Sequence, residues 1–197
     1  MKVKICGVTH PEDALHAASC GADFIGIIFA KKSKRRVSIA QAQAIAKAAR
    51  QGGAETVGVF VDETLEDIVS ACKESGINIV QLHGKGAQKC LSQLLPMFTV
   101  IYAVTPNEVH TLPNHVTLLV DSSNPGSGEC LDWKAFLPPK DIPWILAGGL
   151  KPDNVAEAIR ILHPHGVDVA SGVEMQGSTR KDPFIVEAFI TKSKESV

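Results

Sequence analysis

The chain has 197 residues, 45% of them hydrophobic and 21% charged, with a formal net charge of −1. That supports one good core and one domain, at most two, and it excludes a polyanion-binding surface spread over the whole molecule. No stretch approaches the ~20 apolar residues of a membrane-spanning helix, and five scattered cysteines (Cys6, Cys20, Cys72, Cys90, Cys130) without CxxC spacing do not read as a disulfide or zinc framework.

Short β-branched runs alternate with longer helical patterns. Val3 to Cys6 reads as the first strand. Thr9 is placed to cap the next helix, with Pro11 in its opening turn and Glu12-Asp13 at the positive end of its dipole. Phe24 to Phe29 is the second strand, and Ile39 to Arg50 a helix ended by Gly52-Gly53. Val57 to Val61 is the third strand, followed by a helix over Leu65 to Ser75 that closes before Gly76. Ile79 to Leu82 is the fourth, followed by a helix over Ala87 to Leu95.

The second half is terser. Val100 to Val104 is the fifth strand, with one weak helical turn around Asn107 before the sixth, Leu118 to Asp121. Asp132 caps a brief turn through Phe136, which Pro138-Pro139 stops. Trp144 to Ala147 is the seventh strand, Asp153 or Asn154 opens a helix to Leu162, Val167 to Ala170 is the eighth strand, and Asp182 to Lys192 is the closing helix.

Eight strand–helix units of roughly 25 residues, with strands that are continuous apolar runs, match parallel strands covered on both faces. Right-handed crossovers close such a sheet into a barrel. The expected fold is therefore α/β: a single parallel (β/α)8 TIM barrel over residues 1–197, with some helices short or missing in the second half. An open doubly wound sheet is the runner-up, but Cys6-Gly7-Val8-Thr9 is not the Gly-rich turn it wants after its first strand.

In such a barrel the active site forms where the strands end, and the last two loops commonly hold a phosphate. Gly148-Gly149 and Ser171-Gly172 fall in those loops, where glycine lets backbone N–H groups approach an anion. Cys6 stands out among the cysteines because it ends a strand before a glycine; as a base it needs a nearby positive group or helix N-terminus. Asp121 ends the sixth strand after three apolar residues. It either caps the loop Ser122 to Gly128 or, with its pKa raised by burial, donates a proton.

A guanidinium in the basic run Lys31 to Arg36 would clamp a substrate carboxylate bidentately, if that run is more than a solvated loop. Gln81 and His83 flank the fourth strand end, where His83 either touches substrate or makes a structural hydrogen bond. Lys4 and Asp168 are expected to pair across the first and eighth strands, and Asp168 could also orient the substrate. No metal-ligand cluster, Ser–His–Asp order or Rossmann fingerprint competes with these residues.

The motifs KICG with Pro11-Glu12-Asp13-Ala14, GADFIGIIF, SKR-x-VS, GVFV, VQLHG, LLVD, GSG then DW, LAGGL with Pro152 and Asn154-Val155, and VDVASGVE appear in order over nearly the whole chain. Together they resemble the phosphoribosylanthranilate isomerase family of tryptophan biosynthesis. The resemblance implies an Amadori rearrangement of a small phosphorylated substrate with no metal or organic cofactor. It assigns Asp121 as the general acid, Cys6 as the general base, Arg35 as the holder of the anthranilate carboxylate, and Gly148, Gly149, Ser171 and Gly172 as the phosphate loops. A cytoplasmic monomer with no nucleic-acid or membrane partner is expected.

The chain departs from the family at Lys31-Lys32, where a proline is frequent, and at Cys130-Leu131. The loop with Gly126-Ser127-Gly128 is also short, which bears on lid closure. Other phosphate-binding barrels fit less well. The aminoimidazole isomerase of histidine synthesis has an aspartate where Cys6 stands, which also disfavours a dual-substrate isomerase. A pentose-phosphate epimerase needs metal-binding His and Asp residues. A barrel that only binds a phosphorylated metabolite remains the non-enzymatic alternative.

Overall fold

In a computed structural model, which describes residues 1–109, 113–122, 131–139 and 142–196, eight parallel strands pair in chain order and close on themselves. They are β1 (Lys2–Ile5), β2 (Phe24–Ile28), β3 (Glu55–Phe60), β4 (Ile79–Leu82), β5 (Thr99–Val104), β6 (Thr117–Val120), β7 (Trp144–Leu146) and β8 (Gly166–Val169). Closure comes from β1 lying beside β8, with Lys4 opposite Asp168 and Ile5 opposite Val169. This is the expected TIM barrel.

Around it run α1 (Pro11–Ser19), α2 (Ile39–Gln51), α3 (Leu65–Ser75), α4 (Lys85–Gln88), α5 (Leu91–Leu94), α6 (Val155–Leu162) and α7 (Pro183–Glu195). Their ends follow local chemistry. Ser38 and Gln41 form a reciprocal capping box on α2, and Thr64 accepts from the Asp67 N–H to start α3. Gly76 ends α3 in the left-handed region at φ 68°, a conformation glycine adopts without a side-chain penalty. Asp182 accepts from the Phe184 and Ile185 N–H groups ahead of α7, with Pro183 in the first helical position.

Strand alternation divides the strand side chains into two populations. One set, with Val3, Ile5, Ile25, Ile27, Val80, Leu82, Leu118, Val167 and Val169, packs outward under the helices. The other, with Phe24, Val57, Ile79, Ile101, Leu119 and Ile145, fills the barrel. Lys4, Gln81 and Asp168 share the inward parity and are buried, at 1%, 1% and 8% exposure.

Three expectations change. Thr9 does not cap α1: His10 precedes Pro11 and holds the cap position, and Thr9 Oγ1 instead bonds His10 Nδ1 at 2.9 Å. Asp13 serves less as a dipole partner than as a buried anchor, taking a fork from Arg180 and the Lys181 N–H. The single helix expected over Ala87 to Leu95 is two short turns, α4 and α5. Tertiary bonds draw the first of them inward, from Ala87 N–H to Val61 O and from Gln88 Nε2 to Ala103 O. The weak turn at Asn107 is a single 3-10 turn over Pro106–Glu108, and Asp132 does cap the turn through Phe136. Gly126-Ser127-Gly128 and Cys130 lie outside the described residues.

Candidate active site

Cys6, His83, Asp121 and Ala147 each follow directly on a strand end, at β1, β4, β6 and β7, and each keeps the parity of an inward residue two positions earlier. The sequence-selected residues therefore collect around the C-terminal mouth of one closed barrel. Cys6 is held by its N–H, which donates to Val169 O on β8 at 2.8 Å, and Asp121 by its N–H to Val104 O on β5 at 3.0 Å.

Cys6 is 5% exposed. Burial pushes its thiol above the ordinary value. Lys4 and Lys181 pull against that and Asp168 adds to it, and the net direction is up. The cations the thiol needs are thus present. Lys4 Nζ donates to Asp168 Oδ1 at 2.9 Å, so the expected cross-strand pair forms. Burial alone would lower the Lys4 ammonium, but Asp168 and Cys6 outweigh it and hold it well above its ordinary value.

Across the mouth, Asp121 Oδ1 accepts from the Ser122 N–H at 2.8 Å, and Oδ2 lies 3.4 Å from His83 Nε2. The other nitrogen of His83, Nδ1, bonds Gln81 Nε2 at 2.9 Å. Gln81, His83 and Asp121 form one line of polar contacts, which joins the two alternatives for His83: it has a structural partner and it stands at the carboxylate.

Gly148 and Gly149 both take positive φ, 87° and 63°. A Cβ on Gly148 would stand 2.9 Å from Asp121 Oδ1, so this loop packs against the carboxylate as only glycine permits. Asn154 ties the loop down, donating from Nδ2 to Gly149 O at 3.0 Å and accepting from the Lys151 N–H at 2.8 Å. Ser171 and Gly172 open a single helical turn, Ser171–Val173, whose first N–H groups have no acceptor within the turn. Gly172 lies against the carbonyl of Leu150, which brings the loops after β7 and β8 into direct contact.

Arg35 departs from the simplest expectation. Its guanidinium is already forked onto Glu174, with Nε donating to Oε1 at 2.6 Å and Nη2 to Oε2 at 2.9 Å. Lys181 Nζ donates to the same Oε1 at 3.0 Å. Burial works to raise the Glu174 carboxyl, but Arg35 and Lys181 hold it below its ordinary value. Sequence reasoning missed both partners. Glu174 follows Ser171-Gly172 closely enough to be flagged, whereas nothing separates Lys181 in sequence from a solvated lysine before a helix cap.

Among the described residues, no group of three or more His, Cys, Asp or Glu side chains could hold a metal ion, and no helix is long and apolar enough to cross a membrane.

The chain matches the family model of N-(5'-phosphoribosyl)anthranilate (PRA) isomerase over residues 3–192. It is 50% identical to the N-(5'-phosphoribosyl)anthranilate isomerase of Chlamydia caviae, an alignment covering 100% of this chain and 98% of that one. The crystal structure of phosphoribosyl anthranilate isomerase from Thermotoga maritima superposes with a TM-score of 0.89 at 34% identity, over 99% of both chains. A phosphoribosyl anthranilate isomerase crystallised with reduced 1-(o-carboxyphenylamino)-1-deoxyribulose 5-phosphate gives a TM-score of 0.86 at 34% identity, again over 99% of both. Fold, motif order and relatives agree: the chain belongs to the N-(5'-phosphoribosyl)anthranilate isomerase family, isomerases of tryptophan biosynthesis.

Proposed function

We propose that the chain converts N-(5-phospho-β-D-ribosyl)anthranilate to 1-(2-carboxyphenylamino)-1-deoxy-D-ribulose 5-phosphate, with Asp121 as general acid and Cys6 as general base. The observation that carries this reading is the placement of a thiol and a carboxylate at the same mouth, each two positions after an inward-facing strand residue, with two glycine loops beside them.

Asp121 in its acid form gives a proton to the furanose ring oxygen as the bond from that oxygen to C1' breaks. The anthranilate nitrogen supplies the electron pair, leaving a protonated imine. The imine acidifies the proton on C2', which the Cys6 thiolate removes, and the released pair forms an enolamine. Gain of a proton at C1' and loss of one from the C2' hydroxyl complete the ketone. Lys4 and Lys181 are the cations that support the thiolate against its burial. Protons pass between these side chains and the substrate while electron pairs shift only within the substrate, so no external oxidant or reductant is needed.

Arg35 holds the anthranilate carboxylate. Gly148, Gly149, Ser171 and Gly172 take the phosphate on backbone N–H groups. We assign the orienting of the sugar to His83, which Gln81 contacts, and to Asp168, which is tied to Lys4. We also read residues 1–197 as one domain and the protein as a cytoplasmic monomer. Among the described residues the large exposed apolar side chains are Leu15, Met97, Leu137, Met175 and Phe184. Light scattering tests that last point, since a Thermotoga maritima relative is described as dimeric.

The purified protein is expected to remove the anthranilate-like fluorescence of phosphoribosylanthranilate as product forms, and no turnover above the buffer rate would refute the reading. Cys6→Ala and Asp121→Ala are each expected to lower kcat by about 10²–10⁴-fold, the usual contribution of a general acid or base. A near-normal rate in both would remove these roles.

A further inference from the structure

Glu174, in the segment after β8, has a side chain only 6% exposed and is gripped by two cations. Arg35 presents its Nε–Nη2 edge to the two carboxylate oxygens, and Lys181 reaches Oε1 from within the fold. Lys181 is itself anchored. Its Nζ also donates to Ala170 O at 2.9 Å, and its backbone N–H donates to Asp13 Oδ2 at 3.0 Å. The neighbouring Arg180 forks onto that same Asp13 carboxylate from Nε and Nη2. Glu174 therefore cannot move outward with Arg35 without abandoning a buried ammonium. It is a fixed post.

A guanidinium carries five N–H donors in a rigid plane. Glu174 engages the edge made by Nε and one hydrogen of Nη2, and Nη1 has no acceptor among the described residues. The edge left over, Nη1 with the second Nη2 hydrogen, matches a second carboxylate. The stem of Arg35 crosses Gly7, whose φ of 66° and missing Cβ let it pass next to Cys6. Two cations and one carboxylate leave the cluster at +1, which one further anion neutralises. Beside Glu174 lies an open hollow of about 570 Å³ that Lys34 and Ser171 also line.

We infer that Glu174 and Lys181 are positioning residues: they hold Arg35 side-on so that its outer edge takes the aryl carboxylate of the substrate. This rests on the reactant proposed above and adds what orients its recognition. The opposing possibility makes Glu174 a stand-in that the substrate carboxylate must displace. The Lys181 anchor argues against displacement, and the two ideas predict opposite signs.

The test is calorimetric titration of the intact protein with reduced 1-(o-carboxyphenylamino)-1-deoxyribulose 5-phosphate and with the same molecule carrying a plain phenyl ring. Glu174→Gln is expected to weaken the carboxylate-bearing ligand roughly 10- to 100-fold, as for loss of a charge-assisted hydrogen bond. It should change binding of the phenyl ligand by less than about twofold, which also certifies the fold of the variant. Glu174→Asp should restore part of the loss, and Lys181→Met should show the same ligand-selective weakening. In an Arg35→Lys background, Glu174→Gln should add no more than about twofold, because residues acting through one another are not additive. Equal weakening of both ligands, or tighter binding of the carboxylate ligand by Glu174→Gln, overturns the inference. Failure of the wild-type protein to bind either ligand is a separate result that overturns the proposed reactant and this inference with it.

Discussion

The Cys6 thiol lies directly over Gly26 of β2: a Cβ built on Gly26 would stand 2.7 Å from Sγ and 3.0 Å from the Cys6 Cα. That same Cβ would be 3.1 Å from Lys4 Nζ. An interior strand position that looks merely permissive in sequence is thus the floor on which thiol and ammonium rest.

Gly26→Ala is expected to push Sγ off that floor. With Cys6 as the proposed base, we expect kcat to fall by about tenfold with a smaller change in KM, because displacement costs near-attack geometry, and stability to fall by about 1–3 kcal/mol from overpacking. Steady-state kinetics with urea melts check both. An unchanged kcat would mean that the thiol position does not matter.

Lys4 and Asp168 share a buried ion pair across the seam of the barrel. Lys4→Met should destabilise the fold by about 3–5 kcal/mol, because a buried carboxylate loses its counter-charge, while Lys4→Met with Asp168→Asn should cost less than the single change. The raised Lys4 ammonium also sets a pH window. Its stabilising contribution is full below the unfolded value of 10.5 and is lost only as pH rises above it. Urea midpoints of the three proteins from neutral to alkaline pH give the comparison.

Cys72 on α3 is fully buried, and burial pushes its thiol up to about 12 from 9.0. Below pH 9.0 folded and unfolded thiols are both neutral and nothing depends on pH. Between 9.0 and about 12 only the unfolded thiol ionises, so stability drops with rising pH. Cys72→Ala, less stable at neutral pH from its cavity, should show a shallower alkaline decline in urea midpoint. Parallel declines would exclude Cys72 as the source.

Gly172 touches the Leu150 carbonyl, so Gly172→Ala must part the loops after β7 and β8. If those loops hold the phosphate, competitive inhibition by inorganic phosphate should weaken by about tenfold, as expected when backbone donors to an anion are misplaced. An unaltered inhibition constant would place the phosphate elsewhere.

The barrel was legible because its physics is one-dimensional. A strand covered on both faces is a largely apolar run, and Ile79–Leu82, with Gln81 its one polar residue, falls on its expected bounds to the residue, as does the helix Leu65–Ser75. Closure then follows from eight such units and the handedness of their crossovers. Chain order alone also brings Cys6 and Asp121 to one rim, since every parallel strand ends on the same side. The Lys4–Asp168 pair could be anticipated from inward parity on neighbouring strands.

What remained hidden depends on approach between segments far apart in the chain. Ala87 to Leu95 looks like one helix because propensity is local, while the bonds to Val61 and Ala103 that divide it are not. Arg35 and Glu174 are 139 residues apart, and the sequence contains no distance between them. The chain by itself determined which side chains reach the mouth, because alternation along a strand is set by the backbone. Only the folded molecule decided which of them touch: that Arg35 is held edge-on by Glu174, that Lys181 is buried, and that Cys6 rests on Gly26. Contact and burial are properties of packing in three dimensions, and identical residues in another register would make none of them.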